Sequence, residues 1–285
     1  MNKLRVNICI KSLLIFAGII MMQMIAYILC FGGYLIGFSA GGDGYVTALQ
    51  KVTRIMHEDS SFLMSVSAVS AFISMIWCGI LYYKSSWRVK GMDYRRVFGG
   101  KNILFIIGAA VGGCIIVTFV LSAISAAFPF LFEKYSRLMS HFDSDGFGIA
   151  IIYALLIGPV SEEFIFRGAL FDRFHIGFSF WTANALQALL FAVYHMNLIQ
   201  GIYAFLLGML LGMIVYSTGS ILCPVITHIL FNATTYVLPI VLGINIPAVR
   251  VLIIFFMVFM AILSLIAIRY FVKISNEKIK IDEKV

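Results

Sequence analysis

Eight stretches of mostly apolar sequence, near residues 12–37, 61–83, 103–132, 147–170, 178–197, 198–217, 220–243 and 247–272, follow one another along the chain. About 20 apolar residues in helical form cross the hydrocarbon core of a bilayer. Inside that core a segment must satisfy its own backbone N–H and C=O groups, which a helix does. The expected fold is therefore all-α: a polytopic membrane bundle of about eight transmembrane helices. Composition agrees, since 62% of the 285 residues are apolar and only 12% are charged. A water-facing surface does not absorb such an excess. No Pro/Ser-rich linker, low-complexity tract or internal repeat divides the chain, so one transmembrane domain over residues 1–285 is expected.

The N-terminus, Met1-Asn2-Lys3-Leu4-Arg5, leads into apolar sequence as a signal peptide does. The stretch from Ser12 to about Leu35 is too long for a signal-peptide core of about 7–15 residues, and no small-x-small site follows. An uncleaved first helix is expected. The five cysteines, Cys9, Cys30, Cys78, Cys114 and Cys223, are scattered through apolar segments without metal-ligand spacing, and read as packing residues.

The net charge of +8 is distributed in a way that argues against nucleic acid as a partner. Lys84, Arg88, Lys90, Arg95, Arg96 and Lys101 crowd one loop between apolar runs, and Lys3, Arg5, Arg173, Lys273, Lys278, Lys280 and Lys284 fall on the same side of an eight-span arrangement. The other side holds Lys51, Arg54, Lys134, Arg137 and Arg250. That bias places both termini in the cytoplasm and offers contacts to anionic membrane lipid.

Ionisable side chains inside spans are costly, by about 2.5–3.5 kcal/mol each on insertion scales, so those that remain are informative. The fourth run carries Ser161-Glu162-Glu163-Phe164-Ile165-Phe166-Arg167-Gly168, the fifth ends Phe191-Ala192-Val193-Tyr194-His195, and the seventh carries His228-Ile229-Leu230-Phe231-Asn232. Glu163 and Arg167, four apart, share a helical face and can pair, which leaves Glu162, about 100° around the helix, free as a general base. The bland alternative is a structural Glu–Arg pair with Glu162 as a bystander. His228 and Asn232 also share a face and suit an oxyanion hole, although a lone buried histidine is more often a packing residue. Pro159 and Pro224 can break or kink their helices. Gly158, Gly168, Gly208 and Gly212 allow close helix approach. Asp143-Ser144-Asp145-Gly146 is read as a turn.

Glu162-Glu163-x-x-x-Arg167, Phe191-x-x-x-His195 and His228-x-x-x-Asn232, in that order, resemble the CAAX-protease and bacteriocin-processing (CPBP, or Abi) family of intramembrane proteases, which includes the Ras-converting CAAX endopeptidases. The resemblance covers roughly residues 147–240, taken as the catalytic core. It implies that Glu162 and His195 activate a water, that His228 and Asn232 hold the oxyanion, and that Glu163 and Arg167 organise the site. It also implies a membrane-associated peptide or protein substrate and a multi-pass protein of the cell membrane, a bacterial plasma membrane. Family members have been described with and without a metal. No cofactor is expected, and if zinc is used its ligands would be Glu162, His195 and His228.

Two rivals remain: a secondary or proton-coupled transporter, and an immunity or binding protein with a silent site. Rhomboid-type serine and presenilin-type aspartyl chemistry lack their residues here. One tension attends these spans, which set His195 on the order of 15 Å in depth from Glu162 and His228. It resolves if the fifth run is short and turns, at Asn197 to Gly201, without reaching the outer surface.

Overall fold

The computed structural model describes residues 3–58, 60–84, 99–133 and 149–282. Arg88, Lys90, Arg95, Arg96, Lys134, Arg137, Lys284 and the Asp143–Gly146 loop, singled out above, lie outside the described residues. Among the described residues every regular element is helical. Helix α1 spans Lys3–Ala40, α2 Tyr45–Glu58, α3 Ser60–Lys84 and α4 Asn102–Ala127. A continuous helical run over 149–175 forms α5, followed by α6 Phe180–Tyr194, α7 Leu198–Thr218, α8 Leu222–Leu242 and α9 Pro247–Asp282.

Six of the described helices, α1, α3, α4, α7, α8 and α9, are long and apolar enough to cross a membrane, and the chain is a multi-pass membrane protein. Together with α5 and the shorter α6 they account for the eight apolar runs. Two features differ from those runs. The third run reaches residue 132, but α4 ends at Ala127, where Phe128 leaves helical geometry at φ −135°. Pro129 follows, and a residue before proline is pushed away from the helical region. Helix α2 corresponds to none of the runs, because its polar and apolar residues alternate at helical period and never make a long apolar stretch. Ala48 and Val52 form its buried side, against α1 and α3.

Helices pack through small residues. Gly112 of α4 sits against the backbone of α9, where an added Cβ would strike the Met260 carbonyl oxygen. Backbone cannot yield as a side-chain tip can, so Gly112→Ala is expected to cost about 1–3 kcal/mol. Gly113→Ala, whose Cβ would find only Ser264 Oγ at 3.6 Å, is expected to be near neutral. Thermal unfolding midpoints in detergent distinguish the two. Arg5 Nε donates to the Gly177 carbonyl at 2.9 Å and Lys278 Nζ to the Tyr216 carbonyl at 2.6 Å. These bonds gather the start of α1, the α5–α6 turn, the end of α7 and the tail of α9 at one end of the bundle, as an even number of passes requires.

Helix α5 is irregular where it matters. Its turns at Tyr153–Ile157 and Phe164–Phe171 are wound as π-helix, on either side of the α-helical turn Gly158–Glu163. Such insertions re-aim side chains and occur often at functional sites. Helix α6 has only 15 residues, about 22 Å at 1.5 Å per residue, short of the about 30 Å hydrocarbon core. The connection to α7 lies at His195–Asn197 rather than at Asn197–Gly201. Met196 takes a positive φ of 54°, and Asn197 accepts from the Gln200 N–H at 3.1 Å and so caps α7. Gly201 is already helical because that cap starts the helix early.

Candidate active site

Glu162 and Glu163 close the α-helical turn of α5, and Arg167 lies one turn on, within the second π segment. Arg167 Nη1 donates to Glu163 Oε1 at 2.8 Å, and both side chains are wholly buried. The guanidinium also lies over the Phe191 ring of α6, 4.7 Å from its centroid, and Nη2 reaches the Gly208 carbonyl of α7 at 3.4 Å. Arginine's planar fork suits this set of partners, where a lysine could serve only one.

His228 enters from α8. Its Nδ1 lies 2.9 Å from Glu163 Oε1. A carboxylate already accepting from Arg167 can only accept here, so Nδ1 carries the proton and Nε2 is the atom left for chemistry. Nε2 stands 3.6 Å from Glu162 Oε2, within ion-pair range but beyond a hydrogen bond. Glu162 keeps some solvent access, its side chain 14% exposed against 0% for Glu163. The two carboxylates are thus divided as the residue spacing suggests: Glu163 is tied to a guanidinium, and Glu162 faces an imidazole edge.

His195 ends α6. Its Nδ1 lies 2.9 Å from the Phe191 carbonyl, which accepts, so the proton sits on Nδ1 and Nε2 presents a lone pair. No hydrogen bond or ion pair joins His195 to Glu162 among the described residues. The two histidines are instead related through Phe191, whose ring meets His195 edge-on at 4.8 Å and His228 at 5.9 Å. Because Phe191 touches both His228 and Arg167, the end of α6 lies level with the glutamates, and the depth mismatch implied by run lengths disappears.

Asn232 lies one turn beyond His228, and its Nδ2 donates to the Ala154 carbonyl of α5 at 2.9 Å. The reason lies in the first π turn, where the Gly158 N–H bonds the Tyr153 carbonyl five residues back. In that register the Ala154 carbonyl would be served by residue 159, which is proline and has no N–H. Asn232 supplies the missing donor and keeps one N–H for other use. Asn232→Ala is expected to destabilise the fold by about 1–3 kcal/mol, the cost of an orphaned part-buried carbonyl, measured as a lowered unfolding midpoint; an unchanged midpoint contradicts it. Pro224, by contrast, breaks nothing: it falls in the first turn of α8, where its N–H is not needed.

Uncharged residues complete the surroundings. Gln187 Nε2 donates to the Gly208 carbonyl at 2.9 Å and to Asn184 Oδ1 at 2.8 Å, and Asn184 Nδ2 donates to the Met209 carbonyl at 2.9 Å. Gly212 leaves room for this pair, since a Cβ there would strike Asn184 Oδ1. Counting only ionisable side chains passes over Asn184 and Gln187, although two amides three apart in an apolar helix are themselves a signal. A Cβ on Gly208 would stand 3.0 Å from the Ala188 Cβ, and one on Gly168 would stand 3.3 Å from the Tyr82 ring. The atoms nearest to a Cβ added at Gly158 are those of Tyr153, in its own helix.

Among the described residues no three His, Cys, Asp or Glu side chains stand close enough together to hold a metal ion. Glu162, His195 and His228 form no such group as placed. All five cysteines are free thiols, four of them buried and Cys9 half-buried.

Residues 145–234 match the family model described as Rce1-like, type II CAAX prenyl endopeptidase. Comparisons with the curated proteins and with the solved structures give no match. The matched segment runs from just before α5 into α8 and contains Glu162, Glu163, Arg167, His195, His228 and Asn232. Over that segment the chain is similar to the Rce1-like CAAX prenyl endopeptidases, a family of peptidases.

Proposed function

We propose that this protein is an intramembrane endopeptidase in which Glu162 deprotonates a water that attacks the scissile carbonyl of a membrane-associated peptide or protein. The observation that carries this reading is the unequal pairing of two adjacent carboxylates: Glu163 held by Arg167 at 2.8 Å, Glu162 left without a cation from the same helix. His195 Nε2, unprotonated while Nδ1 serves the Phe191 carbonyl, is a second acceptor for the water's proton. His228 Nε2, when protonated, donates to the developing oxyanion, and the remaining Asn232 N–H is the partner donor.

The family description makes a prenylated C-terminal tail the first substrate class to try. Lys/Arg bias supports a multi-pass placement in a cell membrane with both termini cytoplasmic, in keeping with a bacterial plasma membrane. No step is assigned to a metal. The test is proteolysis of a prenylated peptide set by purified protein in liposomes, comparing wild type with Glu162→Ala and His228→Ala. Cleavage by wild type and its loss in both variants is expected; equal cleavage by all three removes the reading. Dialysis against a chelator is expected to leave the rate unchanged, and inhibition reversed by zinc would overturn the metal-free assignment.

A further inference from the structure

Asn184, Gln187, Phe191 and His195 fall three or four residues apart and so line one face of α6. That face ends at a histidine of the site and begins with two amides that none of the sequence motifs includes. Both amides are wholly buried. Gln187 Nε2 donates to the Gly208 carbonyl of α7 at 2.9 Å and to Asn184 Oδ1 at 2.8 Å, and Asn184 donates in turn to the Met209 carbonyl at 2.9 Å. Gln187 Oε1 is buried and accepts no hydrogen bond among the described residues, so the amide acts through its N–H groups. The Gly208 oxygen is also where Arg167 Nη2 arrives, at 3.4 Å. Arg167 is thus held from three helices: by Glu163 of α5 at 2.8 Å, by the Phe191 ring of α6 at 4.7 Å, and by that oxygen of α7. From Arg167 the bonds continue through Glu163 Oε1 to His228 Nδ1 at 2.9 Å. This last bond settles which ring nitrogen of His228 carries the proton and which is left for chemistry.

We propose that Gln187, braced by Asn184, is a positioning residue of the peptidase site, fixing the Gly208 carbonyl under Arg167 so that Arg167 and Glu163 hold His228 with Nε2 toward the reacting carbonyl. This rests on the peptidase reading above and adds to it two residues that touch no reacting atom. A guanidinium has five N–H donors on a long stem, and a single carboxylate leaves it free to tilt. A carbonyl tied to α6 by Gln187 removes that freedom, because α6 also supplies the Phe191 ring against which the guanidinium lies. In a dry interior such a chain of hydrogen bonds polarises along its length, so that a loose link at one end is felt at the other. The rate is sensitive to this, since a misplacement of about 1 Å at a reacting group can cost about 100-fold.

The test uses full-length protein in liposomes with two readouts: cleavage of a prenylated peptide, and ¹⁵N-histidine NMR, in which His228 is identified by the signals missing from His228→Ala. Wild type is expected to show neutral His228 as one tautomer, with the proton on Nδ1. Gln187→Met keeps the length of the side chain and removes the amide. It is expected to give a mixture of His228 tautomers and to lower kcat about 10–100-fold while KM stays within about twofold. Asn184→Ala, which removes only the brace, is expected to move both readouts in the same direction by less, and carries the test if Gln187→Met does not fold. Gly112→Ala, destabilising at a distance from the site, is expected to keep the wild-type tautomer and kcat, which separates positioning from loss of stability. A single Nδ1–H tautomer in both amide variants, or wild-type kcat in both, overturns this proposal alone. Absence of cleavage by wild type, or equal cleavage by Glu162→Gln, overturns the peptidase reading and this proposal with it, whatever the tautomers show.

Discussion

Replacement of Glu162 by glutamine is expected to lower kcat/KM for peptide cleavage by at least about 10²–10⁴-fold, the range general-base catalysis supplies, with the protein still folded. The amide matches the carboxylate in size but cannot take a proton. Folding should tolerate it because Glu162 pairs with no cation of its own helix and retains solvent access, its side chain 14% exposed, with the His228 edge at 3.6 Å beyond hydrogen-bond reach. Glu162→Asp keeps the acid but withdraws it by one methylene, so an intermediate loss is expected. The contrast with Glu163→Gln is the sharper check. That change weakens a wholly buried pair with Arg167 and a 2.9 Å bond to His228, so it should depress stability as well as rate. If Glu163→Gln proved the purely catalytic lesion and Glu162→Gln the structural one, the roles of the two carboxylates would be reversed. Steady-state kinetics and unfolding midpoints on the three variants decide it.

Arg167→Met is expected to be the most destabilising single change at the site, by about 3–5 kcal/mol, as is typical when one partner of a buried ion pair is removed. The loss goes beyond one contact. Glu163 would keep only His228, its Oε2 having no hydrogen-bond partner among the described residues; the Phe191 face would lose its cation at 4.7 Å. Arg167→Lys should recover part of this, since charge returns without the fork that reaches both Glu163 and the Gly208 carbonyl. The double change Glu163→Gln/Arg167→Met is expected to regain stability relative to Arg167→Met while remaining inactive, because His228 then lacks the carboxylate that orients it. Thermal unfolding in detergent reads the first effect and peptide cleavage the second. A wild-type midpoint for Arg167→Met would contradict the account of the pair.

The helices were legible because lipid leaves few alternatives: eight apolar runs correspond to α1 and α3 through α9. Pairing of Glu163 with Arg167 was legible from a spacing of four, and the exclusion of Glu162 from that pair from a spacing of five. Other features left no trace that spacing could reveal. A π turn adds a residue to a helical turn without changing composition, so the use of Asn232 to serve the Ala154 carbonyl, which Pro159 cannot reach, emerges only in three dimensions. Likewise the level of His195 depends on α6 stopping after 15 residues, whereas the apolar run continues without pause into α7. Phe191 carried a motif position, but its place between Arg167, His195 and His228 follows from how α5, α6 and α8 converge.

The most direct test of Glu162-activated water is isotopic. Wild-type protein in liposomes, given a cleavable prenylated peptide in ¹⁸O-enriched water, is expected to place one heavy oxygen in the new C-terminal carboxyl, with no trappable acyl intermediate on the protein when hydroxylamine is added. Glu162→Gln should give no labelled product at matched protein and time. A hydroxylamine-trapped acyl adduct on the chain, or labelled product formed as fast by Glu162→Gln as by wild type, would contradict the account.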